Sequence, residues 1–253
     1  MQGRRLAGQE HLELEFYNHE NANYVRRALP PALTPPTSPD TIYVMHGPHD
    51  SDEFITAAGR RTIYTNSWKI DHNCSRTGIR LVGPRIEWAR KNGAEAAGSH
   101  PSNVVDYPYP SPGGVNWTGD SPVFFPHDAP GLGGFLCSST VPTAELWKLG
   151  QLKPGAEVTL TPVSYQRARE LAAKKEQLIK AVEEYLASGT LPDKANLSLD
   201  VEASEGSASD AILEKLPGDD SKPSLTLRQV RHPCSVSIYA RVERPCFADT
   251  GNL

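Results

Sequence analysis

The sequence has few of the short motifs by which self-sufficient enzymes are recognised. Its 253 residues contain no GxxxxGK(S/T) loop that would cradle the phosphates of ATP. They also contain no GxSxG turn that would present a nucleophilic serine. A catalytic role would therefore need a partner that brings an activated group.

Cysteine is also scarce, and none of the four residues is spaced as CxxC. This pattern excludes a zinc ribbon and a thioredoxin motif. Four cysteines in a chain of this length do not make a disulfide framework, so we expect reduced thiols in a cytoplasmic protein. The four residues are Cys74, Cys137, Cys234 and Cys246.

Long apolar runs are missing as well. No segment approaches the ~20 residues that span a bilayer. No apolar core follows the basic first residues, so the sequence predicts no signal peptide. The net charge of −4 gives no general attraction to nucleic acid or anionic membrane. We therefore expect no nucleic-acid partner, no membrane partner and a cytoplasmic location.

Proline, by contrast, is abundant. The chain has 22 prolines and an apolar fraction of 38%, which indicates that part of it lies outside a packed core. Residues 1–40 are polar and then proline-rich, and we interpret them as an N-terminal extension in which 11–27 form a short helix or strand. Residues 190–224 are rich in Ser, Asp, Glu and Pro, which predicts a disordered linker.

Short β-branched and aromatic runs, separated by Gly and Pro turns, fill the region between these segments. The spacing indicates a mainly β domain over residues 41–165, either a barrel or a sandwich. Residues 85–113 are predicted to be loop, and 142–149 to be a helix of two turns. The predicted strands are 41–45, 61–65, 68–70, 78–84, 122–125 and 157–163.

One long helix is predicted over residues 166–189. Apolar residues recur on one helical face at Leu171, Leu178 and Leu186, and Gly189 provides a C-terminal stop. Two strand-like runs follow within residues 225–253, which we interpret as the truncated start of a second domain.

Two histidines lie three residues apart in a turn. His46 and His49, with Asp50 beside them, could contribute to a metal site. No third ligand is evident in the sequence, so we favour exposed turn histidines and predict no metal.

A second polar group occupies a proline-rich loop. His100, Asn103 and Asp106 are spaced three apart, and their amide, carboxylate and imidazole groups suit the binding of an amide-like substrate or general-base chemistry. They equally suit the capping of turns, which Asn and Asp perform very often. Asp120, which follows Thr118 and Gly119, has the same two interpretations.

Linked motifs in this region resemble the carboxyltransferase region of urea carboxylase, which also occurs within urea amidolyase. They appear in the order of that family and cover residues 41–165. The motifs are SRTGIRLVGP at 75–84, EWAR at 87–90, HPSN at 100–103, NWTGD at 116–120, GGF at 133–135 and ELWKLGQLKPG at 145–155.

The resemblance implies a cyclophilin-like β-barrel, the first of two related barrels, with residues 225–253 as the start of the second. It also implies that a separate biotin carboxylase uses ATP to carboxylate biotin on a carrier, and that the carboxyl group then passes to urea to give allophanate. Met1 and Met45 do not adjoin a lysine, so the Met-Lys-Met tripeptide that attaches biotin is absent. We therefore expect the chain to bind no cofactor itself and to be incomplete without the carboxylase, the carrier and the second barrel.

The implied reaction assigns catalytic roles to the polar loop. Asp106 would hold the urea N–H groups, Asn103 would bind the urea oxygen, and His100 or Asp106 would serve as general base.

The same resemblance assigns substrate-binding roles to five further residues. Arg76 or Arg80 would neutralise the carboxylate in transit, and Thr118 and Asp120 would contact the substrate. Lys148 would assist the arginines, unless it is a solvated helix residue.

Two alternatives of other classes remain open. One is an amide-hydrolysing component of the bacterial 5-oxoprolinase type, which oxoproline-dependent use of ATP would favour. The other is a non-catalytic binding protein of the Kip-antagonist type, which partner binding without either activity would favour.

Overall fold

A computed structural model describes the chain over residues 3–4, 13–18, 23–35, 39–91, 99–104, 112–128, 133–191, 198–203, 212–216, 224–232 and 235–243. The helices are α1 Ala57–Thr65, α2 Leu146–Leu149 and α3 Tyr165–Ser188. The strands are β1 Gly3–Arg4, β2 Glu13–Asn18, β3 Asn23–Ala28, β4 Thr41–His46, β5 Ser67–Cys74, β6 Ile79–Val82, β7 Gly114–Thr118, β8 Ser121–Phe124, β9 Leu136–Thr140, β10 Glu157–Pro162, β11 Ile212–Leu216, β12 Ser224–His232 and β13 Ser235–Glu243.

Seven strands form a closed barrel in the order β10-β4-β9-β7-β8-β6-β5, and β5 pairs with β10 to complete it. The β10–β4 pair is parallel, and the other neighbouring pairs are antiparallel. The mainly β prediction and the choice of a barrel are therefore confirmed. Strands predicted near 41–45, 68–70, 78–84, 122–125 and 157–163 correspond to β4, β5, β6, β8 and β10.

The barrel interior is filled by large apolar side chains. Trp68 and Trp117 are both fully buried and meet edge to face with their ring centroids 5.9 Å apart. Such an edge-to-face pair adds to the stabilisation that burial of the rings provides. The surrounding residues include Ile42, Ile70, Leu81, Phe124, Leu136 and Leu160.

The strand predicted over 61–65 is wrong, because these residues form the second half of helix α1. Thr56 precedes the helix with extended backbone, and its hydroxyl accepts a hydrogen bond from the N–H of Gly59 at 3.0 Å. This cap satisfies one of the free N–H groups at the helix start. Ile63 then packs into the barrel core, so tertiary packing overrides the preference of β-branched residues for strands.

The long helix is confirmed as α3. Ser164 caps its start by accepting from the N–H of Arg167, and Gly189 ends it with φ of 78°. A side chain would strain this left-handed conformation, and glycine adopts it freely. Leu178 and Leu186 pack against Leu33, so α3 is held against the segment that precedes β4.

The short helix α2 has one turn where the sequence predicts two. Residues 225–230 and 236–242 lie in strands β12 and β13, as predicted, and these pair with β11 in a three-stranded sheet. Strand β11 lies within the stretch 190–224 whose composition predicts a linker. Strands β2 and β3 lie within the predicted N-terminal extension.

Candidate functional site

An open pocket of about 270 Å³ lies beside strands β6, β7 and β8, and we call it the strand pocket. Two predicted substrate-binding residues, Arg80 and Thr118, line it together. Its lining includes polar groups from the turn between β5 and β6 and the aromatic rings of Phe125 and Phe135. The remaining lining residues are Asn73, Ser75, Thr77, Gly78, Val123, Phe125 and Phe135.

The turn between β5 and β6 presents its hydroxyl groups because it is internally hydrogen-bonded. The Ser75 and Thr77 hydroxyls lie 2.8 Å apart, and the N–H of Thr77 donates to Ser75 Oγ at 3.2 Å. The N–H of Ser75 donates to the carbonyl of Gly78 at 2.9 Å, which closes the turn. Arg76, at its outer side, is exposed and pairs with Asp128 at 3.0 Å instead of lining the pocket.

Arg80 supplies the positive charge of the strand pocket. Within the described part of the chain, no carboxylate forms an ion pair with its guanidinium, unlike that of Arg76. A guanidinium offers N–H donors in a planar fork that matches a carboxylate. The strand pocket therefore combines a guanidinium that suits a carboxylate with amide and hydroxyl groups that suit neutral polar ligands.

A second polar group, the loop cluster, comprises Trp88, His100, Ser102 and Asp120. The indole N–H of Trp88 donates to Asp120 Oδ1 at 3.1 Å, and His100 Nε2 lies 3.3 Å from the same oxygen. Asp120 occupies the two-residue turn between β7 and β8, after Gly119 with φ of 65°. The predicted residues His100 and Asp120 are thus brought together.

The hydrogen bonds assign the tautomer of His100. The N–H of Ser102 donates to His100 Nδ1 at 3.1 Å, so Nδ1 is an acceptor and the proton of the neutral ring lies on Nε2, facing Asp120. Both ring nitrogens are therefore engaged. Ser102 is fully buried and its hydroxyl accepts from the N–H of Gly119, so it is not an accessible nucleophile despite its contact with His100.

The loop cluster holds Asp120 as a carboxylate. The hydrogen bond from Trp88 lowers the pKa of Asp120, and the nearby His100 and Arg85 lower it further against the opposing effect of burial. A carboxylate that accepts N–H bonds is stabilised in its charged form. At neutral pH Asp120 therefore acts as an acceptor and not as an acid.

Asn103 lies between the loop cluster and the strand pocket. It is exposed and its backbone forms an isolated bridge with Phe135, which lines the strand pocket. The third predicted catalytic residue, Asp106, lies outside the described residues, as do Cys234 and Cys246.

Lys148 lies elsewhere, in a buried ion pair. Its ammonium is 2.7 Å from Glu145 Oε2, donates to the carbonyl of Thr41 at 3.3 Å and lies over the ring of Tyr43. The N–H of Tyr43 also donates to the Glu145 carboxylate. Lys148 is thus not solvated, and it does not line the strand pocket.

The prediction that His46 and His49 are exposed is wrong. His49 is buried, and its Nδ1 accepts a hydrogen bond from the N–H of Cys137 at 2.9 Å. The His46 side chain is 17% exposed and pairs with buried Asp50. Across the residues with a described structure, no group of three metal-ligating side chains is assembled. The spacing of His46 and Asp50, four residues apart across Gly47-Pro48, is the signal that points to this pair.

Comparison with known proteins identifies the class. Residues 1–162 match the family model of the carboxyltransferase domain, subdomain A and B. The chain therefore belongs to this family of carboxyltransferase domains. Within the described ranges, no helix is both long and apolar enough to cross a membrane.

The particular relatives are enzymes of urea metabolism by name. The chain is 45% identical over 164 residues to the urea amidolyase of Lachancea kluyveri, covering 64% of this chain and 9% of that protein. It is 35% identical over 233 residues to a putative urea carboxylase of Emericella nidulans, covering 90% and 18%. The crystal structure of the Kluyveromyces lactis urea carboxylase is similar with a TM-score of 0.63 and 36% identity, over 82% of this chain and 18% of that one. The chain thus spans less than a fifth of each of these relatives.

Proposed function

We propose that the chain is a carboxyltransferase component of a biotin-dependent urea carboxylase, in which a carboxyl group passes to urea to give allophanate. Family membership and the named relatives support a carboxyltransferase role. The observation that carries the urea-specific proposal is the strand pocket, where Arg80, which forms no ion pair with a carboxylate of the described residues, lies among amide and hydroxyl groups.

The donor set suits both partners of the transfer. Urea and the ring of biotin are each a ureido group, with a carbonyl acceptor and N–H donors. The Asn73 amide and the hydroxyls of Ser75, Thr77 and Thr118 supply matching donors and acceptors. Biotin, held by a separate carrier, would supply the carboxyl group, and Arg80 would bind that carboxyl group as a charge-assisted hydrogen-bond donor.

The loop residues would orient the substrate beside the strand pocket. Asn103 would bind the urea oxygen, and Asp106 would hold urea N–H groups. His100 has both nitrogens engaged, so we assign it to the positioning of Asp120 and not to proton abstraction. The chain would act with an ATP-using biotin carboxylase, a biotin carrier and a second carboxyltransferase barrel, in the cytoplasm.

The product provides a direct test of the strand pocket. Allophanate carries the ureido group and the new carboxylate, whereas biuret is a neutral analogue of similar shape. Replacing Arg80 by Gln should weaken allophanate binding to the full chain about tenfold, since a hydrogen bond to a charged group contributes about 1.5 kcal/mol. Biuret binding should not change. The exposed substitution Arg61→Gln on α1 is the matched control.

Calorimetric titration with freshly dissolved allophanate at mildly alkaline pH measures both affinities. Equal loss of allophanate and biuret binding in Arg80→Gln would show that Arg80 does not recognise the carboxylate. Binding of neither ligand by the unaltered chain would contradict the assignment of the strand pocket.

A further inference from the structure

The side chain of Asn116, on β7, is buried without hydrogen bonds. It is 0% exposed, and neither its Oδ1 nor its Nδ2 has a hydrogen-bond partner within the residues that the structure describes. Its neighbour Trp117 is also buried, but the Trp117 indole N–H donates to Ser138 Oγ at 2.9 Å. Buried polar side chains in native proteins are paired in the large majority of cases, because leaving one unpaired costs stability. The free Asn116 amide therefore needs an explanation, and a ligand that completes its hydrogen bonds supplies one.

The strand register places Asn116 on the face of the sheet that carries the strand pocket. Val115 and Trp117 belong to the core cluster, so Asn116 and Thr118 point to the opposite face of β7. Thr118 lines the strand pocket, and so does Val123, which lies directly opposite Asn116 on β8. Side chains of directly opposite residues lie on one face about 4.5–5.5 Å apart at Cβ. Asn116 thus lies at the floor of the strand pocket.

Arg80 lies on the same face, on the other side of Val123. In the β6–β8 pair Arg80 is opposite Val123, just as Asn116 is in the β7–β8 pair. Neighbouring strands are about 4.8 Å apart, so the backbones of Arg80 and Asn116 are separated by about 10 Å. A long arginine side chain and a short asparagine side chain leave space between them for a small molecule that has a carboxylate at one end and an amide at the other.

Two aromatic residues of the strand pocket flank Asn116 on this face. Phe125 follows Val123 by two residues, and Phe135 precedes Cys137, the β9 partner of Asn116, by two residues. Residues two apart along a strand share a face. The two ring centroids are 6.4 Å apart, so the rings are placed to cover the amide. Phe125 is buried and Phe135 is partly exposed, so rotation of the Phe135 side chain is the smallest movement that gives access.

We propose that Asn116 is a substrate-binding residue of the strand pocket, and that its amide pairs with the ureido group of urea when the Phe135 side chain turns away. The proposal rests on the proposed function for its ligand. An amide and a ureido group are complementary, because Oδ1 accepts from a ureido N–H while Nδ2 donates to the ureido carbonyl. That carbonyl has two lone pairs, so Asn103 and Asn116 can both donate to it. The second urea nitrogen then faces Arg80, which would bind the carboxyl group.

The first experiment titrates the full chain with biuret and with allophanate by calorimetry. Asn116→Leu keeps the branched shape of the side chain and removes both polar atoms. It should weaken both ligands about tenfold, the loss expected for two hydrogen bonds between neutral groups. Tyr64→Phe is the control, because it removes a hydroxyl that donates to buried Asp50 outside the strand pocket, and it should bind both ligands normally. Unchanged biuret binding in Asn116→Leu would overturn the proposal.

The second experiment needs no ligand and compares the thermal unfolding of the same two variants. Replacing an unpaired buried amide by an apolar group of similar shape removes a penalty. Asn116→Leu should therefore raise the unfolding midpoint by about 2–4 °C. Tyr64→Phe should lower the midpoint, because it takes a hydrogen bond from buried Asp50. A midpoint that falls in Asn116→Leu as well would show that the fold already satisfies the amide, and it would overturn the proposal.

A measurement on the unaltered chain keeps the proposal testable if Asn116→Leu does not fold. The side-chain amide signals of Asn116 in a proton–nitrogen correlation spectrum should shift when biuret is added. The side-chain amide of Asn66 already donates to the Thr62 carbonyl at 2.9 Å and does not line the strand pocket, so its signals should not shift. An Asn116 signal that stays in place at saturating biuret would overturn the proposal.

The binding outcomes separate this proposal from the proposed function. Loss of both ligands in Asn116→Leu, with no selective loss of allophanate in Arg80→Gln, would support Asn116 as a ureido-binding residue and overturn the carboxylate site. Selective loss of allophanate in Arg80→Gln, with normal biuret binding in Asn116→Leu, would do the reverse. Binding of neither ligand by the unaltered chain would overturn both.

Discussion

Single residues in this barrel are tuned by the groups that touch them, and Asp120 is a measurable case. The Trp88 indole is the main cause of its lowered pKa. Trp88→Phe keeps a ring against Trp117 but removes the N–H donor, so the pKa of Asp120 should rise toward its ordinary value. Carboxyl NMR titration measures this rise. A larger rise in Arg85→Gln than in Trp88→Phe would contradict the assigned cause.

The lowered pKa also sets the sign of a stability effect. An acid that ionises more readily in the folded state stabilises the fold above its unfolded pKa, and this contribution disappears as the pH falls through its folded pKa. Asp120→Asn should therefore lower the free energy of unfolding at pH 7. The difference from the unaltered chain should vanish in acid. A difference that stays constant with pH would show that the charge of Asp120 is not responsible.

The buried pair of Glu145 and Lys148 predicts a larger effect. Lys148→Met leaves the Glu145 carboxylate buried without its partner, which should cost about 3–5 kcal/mol. The exposed pair of Lys180 and Glu176 on α3 is the control, and Lys180→Met should cost less than about 1 kcal/mol. Urea-induced unfolding measures both, and equal small losses would contradict the account of the buried pair.

The same pair has a defined pH dependence. Burial raises the pKa of Glu145, although Lys148 opposes the rise, so the folded state binds its proton more tightly than the unfolded state. Lowering the pH through the window between the two pKa values therefore favours folding. Without Lys148 the folded pKa of Glu145 should be higher still, so the deficit of Lys148→Met should shrink as the pH falls from that pKa to the pKa of Glu145 in the unaltered chain, because the protonated Glu145 no longer needs a cation. A deficit that grows in acid would contradict this sign.

Helix α1 shows how packing decides the form of an element. Gly59 lies inside it, where helix propensity alone favours alanine by about 1 kcal/mol. A Cβ at this position would lie 2.3 Å from the Glu87 carbonyl oxygen and 2.8 Å from Ile55 Cγ2. Gly59→Ala should therefore destabilise the chain by about 1–3 kcal/mol in thermal or denaturant unfolding. The exposed substitution Arg61→Ala should change stability by less than about 0.5 kcal/mol, and a stabilised Gly59→Ala would contradict the close contact.

The strands and helices also show which elements a sequence pattern can predict and which it cannot. The alternation of apolar and polar residues predicted β5 and β6, where Trp68 and Leu81 face the core and their neighbours face solvent. It missed β7 and β9, because almost every residue in them is buried and no alternation appears. It assigned Arg61–Thr65 to a strand because β-branched composition carries no information about the cap at Thr56 or the surface that α1 covers.

For the candidate site too, the sequence predicted some features and missed others that depend on tertiary packing. The linked motifs selected Arg80 and Thr118, which the structure places in one pocket. They also selected His100 and Asp120, which it places in one cluster. The periodicity of apolar residues did not reveal that Lys148 is buried. Its burial depends on an ion pair with Glu145, and a pattern of apolar residues does not detect a charged partner. The sequence placed His46 and Asp50 in one turn but did not reveal that they pair with each other, because this contact depends on the packing of Tyr64 and Ser139, which lie on α1 and β9.

As a whole molecule, the chain presents a closed barrel that carries a strand pocket and a loop cluster on connected strands. It spans less than a fifth of the length of each enzyme to which it is similar here. The barrel carries Arg80, and the turn between β5 and β6 carries the hydroxyl groups of Ser75 and Thr77, which line the same pocket.

The most direct measurement is the urea-dependent incorporation of labelled bicarbonate into allophanate. The full chain is added to a biotin carboxylase, a biotinylated carrier and the remaining carboxyltransferase subdomains, with ATP. We expect incorporation that requires both urea and this chain and that falls in Arg80→Gln but not in Arg61→Gln. Incorporation that is the same without the chain, or that does not respond to urea, would contradict it.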